Sequence, residues 1–344
     1  SIVPKDLLES GHDLNAEPVG SGPFKFVSYT PRDSIQFVRN ENYYETGRPY
    51  FDGMTYRIIA DPTALSNGMK SGEILFSNEV PPKDWNAVIS QPGIVNAALE
   101  GSRYYWMIPN HEKGPLENKL VRQAIGHALN RQAIVRGAFF GQATPILGGV
   151  IPEWNWAYAG LDVFKPEGDI EKAKALLAEA GVVPGTPLSL TMVSSWPPMM
   201  SMAPIIQANL AQIGFTAQID TMEVPRYWDE VWGPSKFDIT AMYWLSPLAD
   251  PDDFVTNTYA TASSVSVHLG GTEEMDDLML AAKSAVTIEE RKALYRKQQE
   301  LSLEDMTVIP LVNGWVLTAH TDRLKNFKPM RTGFLKTLKD AWLE

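Results

Sequence analysis

Leu120-Val-Arg-Gln-Ala-Ile-Gly-His-Ala-Leu-Asn-Arg131 sets Val121, Ala124, Ile125, Ala128 and Leu129 at i, i+3, i+4, i+7 and i+8, the spacing of one helical face. Asn130 follows the last of these positions and suits the cap of a second short helix through Ala138, because its side-chain oxygen can accept a free first-turn N–H. Downstream, helix and strand signals alternate. Asp169 caps a helix whose face is Ile170, Ala173, Leu176, Leu177 and Ala180, and Gly181 stops it. Leu188, Leu190 and Met192 alternate as a half-buried strand, Ile206, Leu210 and Ile213 mark a helix ended by Gly214, and Phe237, Ile239, Ala241 and Tyr243 alternate again. Thr287 and Glu290 have capping-box spacing before a charged amphipathic helix, and Val308–Val312 reads as a strand near a sheet edge. Such alternation predicts an α/β unit containing parallel strand pairs.

Upstream the pattern is strand and turn. Phe24–Tyr29 and Ser34–Val38 flank the turn Thr30-Pro-Arg-Asp33, Thr55–Ile59 reads as a further strand, and Pro62–Lys70 as a short helix punctuated by Ser71-Gly72. The chain of 344 residues has a net charge of −11, ample length for a sizeable core and ordinary globular usage, 44% hydrophobic and 21% charged. The carboxylate excess argues against a nucleic-acid partner and against a polybasic membrane anchor. Ala180–Ile219 carries no charge, but Pro184, Pro187, Pro197, Pro198 and Pro204 interrupt it, so it reads as strand, loop and helix rather than a lipid-buried span.

With no cysteine, there is no disulfide framework, thiol nucleophile or iron–sulfur cluster, and the five histidines (His12, His111, His127, His268 and His320) never fall within one helical turn of each other. No phosphate loop and no GxSxG elbow appears, and Gly20-Ser-Gly-Pro23 reads as a tight turn. Paired carboxylates such as Asp252-Asp253, Asp276-Asp277 and Glu289-Glu290 sit at helix starts, where they oppose the helix dipole. What stands out is aromatic and sulfur-bearing content in loops: Trp154 and Trp156, then Trp196-Pro-Pro-Met199-Met200 and Trp244-Leu-Ser-Pro247, the last two each after a strand. A large aromatic after a strand is well placed for a crevice at the carboxyl ends of a sheet, where Trp offers stacking area and one N–H donor.

Leu120–Arg131, followed by Gly141-Gln-Ala-Thr-Pro145, resembles the substrate-binding protein of a peptide/nickel-type ABC importer, the dipeptide- and oligopeptide-binding class. Further elements agree in the family's order: Pro18-Val-Gly-Ser-Gly-Pro-Phe-Lys25, Arg39-Asn-Glu-Asn-Tyr-Tyr44, Ser71-Gly-Glu-Ile74, Glu171-Lys-Ala-Lys-Ala-Leu-Leu-Ala-Glu-Ala-Gly181, Asp250-Pro251, Glu290–Tyr295 and Ile309-Pro-Leu311. Leu75 departs from the family's usual Asp. The resemblance implies a periplasmic-binding-protein-like α/β fold (type II, cluster C-like) with mixed sheets. It covers only the C-terminal part of such chains: an incomplete first domain (1–107), a complete third domain (108–312) and a return to the first (313–344). It further implies no catalysis, no cofactor and no metal, a small solute bound between the first and third domains, ABC permease subunits as partners, a monomer, and a periplasmic or cell-surface lipoprotein location. Candidate hinge positions are Tyr105, Trp106, Leu311 and Asn313.

Peptide binders of the family engage the solute's ammonium with an aspartate whose position falls here on Pro247, beside Ser246, and no arginine lies between Arg136 and Arg226 to hold a carboxylate. Unpaired peptide termini would be costly to desolvate. The expected solute is therefore largely uncharged, an oligopeptide-like or modified peptide or an oligosaccharide, with Trp154, Trp156, Trp196, Met199, Tyr243, Trp244, Ser246 and Asp250 as candidate binding residues. No Arg or Lys is expected at the wall formed by 192–200 and 244–250, and Asp250 is expected to cap the helix after it. A hydrolase, or a peptide-binding chaperone or sensor on the same scaffold, is the alternative. Phe24, Phe26, Tyr56 and Ile58 are expected to lack part of their cover.

Overall fold

Both asparagines flanking the Leu120 stretch act as caps: Asn118 Oδ1 accepts the Leu120 N–H at 2.9 Å and Asn130 Oδ1 accepts that of Ala133 at 2.7 Å. The structure, a computed structural model, describes residues 3–232, 235–267 and 269–344. They form two compact units: unit 1 is the chain up to Leu99 plus Val316–Glu344, and unit 2 is Glu100–Trp315. Unit 1 begins with α1 (Lys5–Glu9), β1 (Phe24–Thr30), β2 (Ser34–Arg39), β3 (Gly53–Arg57), α2 (Pro62–Ser71), β4 (Phe76–Ser77), α3 (Trp85–Ile89) and β5 (Ile94–Asn96). β6 (Leu99–Pro109) leads into unit 2, followed by α4 (Lys119–Ala128), α5 (Arg131–Phe139), β7 (Ala143–Pro145), α6 (Ile170–Glu179), β8 (Pro187–Val193) and α7 (Pro197–Gln212). Then come β9 (Thr216–Met222), α8 (Val224–Tyr227), β10 (Ile239–Leu245), α9 (Pro251–Tyr259), α10 (Glu273–Ser284), α11 (Ile288–Asp305) and β11 (Ile309–Val316). β12 (Ala319–Thr321), β13 (Leu324–Lys325) and β14 (Trp342–Leu343) return to unit 1.

Unit 2 is built on one mixed sheet in the order β7-β11-β6-β10-β8-β9. β8 runs parallel to both β9 and β10, whereas β6 is antiparallel to β10 and β7 to β11. α4, α5, α6 and α7 cover one face through Ile125, Ile134, Leu177 and Ile206; α9, α10 and α11 cover the other through Phe254, Met279 and Tyr295. β6 shows the period of two directly, with Tyr105 and Met107 in the first core and Tyr104, Trp106 and Ile108 in the second. β8 is not the half-buried strand its alternation predicted. It lies inside the sheet with helices on both faces, so Thr191 and Val193 are buried along with Leu190 and Met192. The uncharged stretch 180–219 runs from the end of α6 through β8 and α7 into β9, and among the described residues no helix is long and apolar enough to cross a membrane.

Unit 1 carries thinner cores, one around Met69, Trp85 and Val88 and one around Leu324 and Leu338. Its antiparallel sheet β1-β2-β3 leaves Phe24 and Phe26 half-buried, and Tyr56 and Ile58 37% and 40% exposed. A cavity of about 610 Å³ lies within the unit, lined by Met54 and Tyr56 of β3, Phe76 of β4, Leu65, Leu324 and Leu338. β3 itself occupies Gly53–Arg57, two residues earlier than its pattern suggested, because Tyr56 pairs with Ile35 in register with β2. α2 ends where expected, at Gly72, whose φ of +78° is one that an L side chain rarely adopts.

Candidate functional site

The parallel strands β8, β9 and β10 bring their carboxyl ends to one end of the unit 2 sheet, and each leads into or carries tryptophan. β8 is followed by Trp196, β9 by Trp228 and Trp232, and β10 holds Tyr243 and Trp244 in its last residues. β6 begins at the same end, since Arg103 pairs with Leu245. Trp196 is half-buried, its ring in edge contact with Tyr243 (5.5 Å) and Tyr227 (5.8 Å). Trp244 is not in a loop but inside β10, half-buried against the opposite core. Trp154 packs edge-on to Phe254 at 6.0 Å, and Trp156, 37% exposed, lies 6.2 Å from Tyr295.

Three candidates prove to have structural roles. Met199 belongs to α7, which starts at Pro197 rather than later: two prolines in the first turn surrender no useful N–H and preset φ, so the helix absorbs the predicted loop and buries Met199 completely. Ser246 is also fully buried; its N–H donates to the Ser102 carbonyl (3.0 Å), its carbonyl accepts the Ser102 hydroxyl (2.7 Å), and its Oγ accepts the Ala249 N–H (3.1 Å). Asp250 caps α9 by accepting the Asp252 N–H at 3.0 Å, as expected.

The expectation that no basic side chain reaches this wall is wrong. Arg291 Nη2 lies 3.1 Å from Asp250 Oδ1 and 2.9 Å from the Tyr295 hydroxyl, with the guanidinium 5.1 Å from the Trp156 ring centre. Arg103 stands 6.0 Å from the Tyr243 ring centre. Both approach from elements remote in sequence, α11 and β6, which is why a search for arginine within the loops missed them.

Beside β6, β7 and β11, unit 2 holds a cavity of about 300 Å³ lined by Glu100, Thr144, Glu153, Tyr158, Asp162 and Asn313, among others. Gly148 lets the backbone form this wall, for a Cβ there would collide with the Leu161 carbonyl oxygen. The Tyr158 hydroxyl donates to Asp162 at 3.1 Å and is pushed up to about 12, by burial first and then by the charges of Asp162, Glu153 and Glu100. Sequence reading stopped at the tryptophans of this loop and passed over its carboxylates, which carry no local spacing signal. Tyr105, Trp106, Leu311 and Asn313 lie buried within the unit 2 sheet, on the two strands that carry the chain into and out of the unit. The Asn313 side-chain N–H groups donate to the Gly101 and Arg103 carbonyls at 2.8 and 2.7 Å, tying β11 to β6. Among the described residues no cluster of His, Asp and Glu is placed to hold a metal ion.

The sequence matches the family described as bacterial extracellular solute-binding proteins, family 5 Middle, over residues 2–265. It is 27% identical over 343 residues to the glutathione-binding protein GsiB of Salmonella paratyphi A, covering 97% of this chain and 66% of that protein. Among solved structures, the ABC transporter-associated periplasmic binding protein DppA of Helicobacter pylori, in complex with the peptide STSA, superposes with a TM-score of 0.82 at 27% identity, covering 100% of this chain and 68% of that one. The periplasmic binding protein AgaA of A. tumefacien, in complex with agropinic acid, gives the same TM-score and identity over 100% and 71%. The chain thus spans about two thirds of the length of the curated relatives it matches.

A mixed sheet sandwiched by helices, with aromatic side chains gathered at the carboxyl ends of its parallel strands and this likeness to solved binding proteins, defines the class as a type II periplasmic-binding-protein fold. The chain belongs to the bacterial extracellular solute-binding proteins, family 5.

Proposed function

We propose that this chain captures a peptide-sized solute for an ABC importer, outside the cytoplasm, and performs no chemistry on it. The observation that carries the reading is the set of partly exposed aromatics at one end of the unit 2 sheet, Trp196 and Tyr243 foremost, where a solute can be held by stacking and apolar contact. The carboxylates of the cavity lined by Glu100, Glu153 and Asp162 favour neutral or cationic solute groups there. Likeness to proteins described as binding glutathione, a peptide and agropinic acid supports a solute of this size. The further reading, also proposed, is a monomer that hands its solute to membrane permease subunits, periplasmic or lipid-anchored at the cell surface, with Tyr105, Trp106, Leu311 and Asn313 flexing as a hinge.

Thermal shift and calorimetry with glutathione, short peptides and oligosaccharides test it. A ligand that binds only the folded chain raises Tm as its concentration exceeds Kd. The expected result is stabilisation by one solute class with the solute recovered intact. Cleaved solute would replace this reading with the hydrolase, and the absence of any shift across the set would overturn it.

A further inference from the structure

Tyr227, Trp228 and Trp232 were not singled out by their sequence spacing, yet they follow β9 at the same sheet end as Trp196 and Tyr243. The segment is α8 continued by a turn of π-helix, Trp228–Trp232, a widened geometry that recurs at functional sites. Tyr227 anchors it: the side chain is fully buried and its hydroxyl lies 2.9 Å from Thr240 Oγ1 on β10. Trp228 is 39% exposed, and its ring centre lies only 4.3 Å from that of half-buried Trp232. Arg226 and Glu230, the flanking charges, pair with each other at 2.9 Å.

Ring contacts make these side chains continuous with the candidate site. Trp232 meets Tyr227 at 5.3 Å, Tyr227 meets Trp196 at 5.8 Å and Trp196 meets Tyr243 at 5.5 Å. Tyr227, buried over β10, is thus the link that joins Trp228 and Trp232 to Trp196 and Tyr243. We infer that Trp228 and Trp232 form an apolar subsite that receives an aromatic or branched aliphatic side chain of the solute, joined to Trp196 and Tyr243 through the buried ring of Tyr227. The inference rests on the proposed peptide-sized solute and adds to it a preference for a bulky apolar residue at one place.

Calorimetry on the 344-residue chain with tetra-alanine, and with four tetrapeptides carrying a single phenylalanine at successive positions, tests it. One phenylalanine position should bind about tenfold more tightly than tetra-alanine, the size of a single aromatic contact. Trp228→Ala should abolish that gain while leaving the tetra-alanine affinity within about twofold, and Trp228→Phe should keep it. A gain that survives Trp228→Ala, or no gain at any position, overturns the subsite and leaves the binding-protein reading standing. A concentration-dependent dimer lost in Trp228→Ala would instead make the rings a contact between copies and overturn it. If the wild-type chain binds none of these peptides but is stabilised by another solute class, the peptide-sized reading fails and the subsite with it.

Discussion

His127 is nearly inaccessible on α4, its ring in edge contact with Phe164 at 5.3 Å. Burial first, then the charges of Lys172 and Arg131, lower its pKa to about 4 from the ordinary value near 6.5. A base whose pKa is depressed in the folded state binds more protons when unfolded, so its contribution is fully present above pH 6.5 and is lost as pH falls toward 4. Urea unfolding should therefore show stability declining by about 1–3 kcal/mol through that window, and His127→Gln should flatten the decline. Neither the depressed histidine nor the Arg291–Asp250 pair was legible in the sequence. The residues of the pair are 41 apart, and only the packing of α11 beside the loop before α9 brings them together.

At the scale of elements, the helix boundaries were the best-read features because their signals are local. Asn130, Asp169 and Thr287 each accept a first-turn N–H in the predicted place, and Thr287 and Glu290 complete a reciprocal capping box. Asn130 also shows what local signals omit. Its own N–H donates to Asn209 Oδ1 at 3.0 Å, across from α7, where Asn209 is buried on a helix read only for its apolar face. Asn209→Leu leaves that backbone N–H without its acceptor, and chemical denaturation should register a loss of about 1–3 kcal/mol. Trp244 and Met199 were misplaced for a related reason. A strand that runs two residues past Tyr243 and a helix that begins at Pro197, inside the expected loop, draw in side chains that composition alone assigns to loops.

For the whole molecule, the two units differ in how much apolar surface they enclose. Unit 2 has a core on each face of its sheet, whereas Val27, Tyr29 and Val38 of the β1-β2-β3 sheet in unit 1 remain exposed. Each large apolar side chain fully buried contributes about 1.5–3 kcal/mol, so the difference is large beside a domain's net stability. Native-state hydrogen exchange should find the amides of 104–108 among the slowest and those of β1 and β3 exchanging by far cheaper openings. Equal protection would mean that unit 1 draws stability from elsewhere. By itself the sequence determined the α/β class, the helix caps at Asn130, Asp169 and Thr287, and the family resemblance, because periodicity, capping chemistry and composition act over a few residues. Only the tertiary structure decided that β8 is doubly covered, that Arg291 pairs with Asp250, and that Trp232 meets Trp196 through the ring of Tyr227. Those facts depend on which strands run parallel and which distant segments pack together, and no local spacing encodes either.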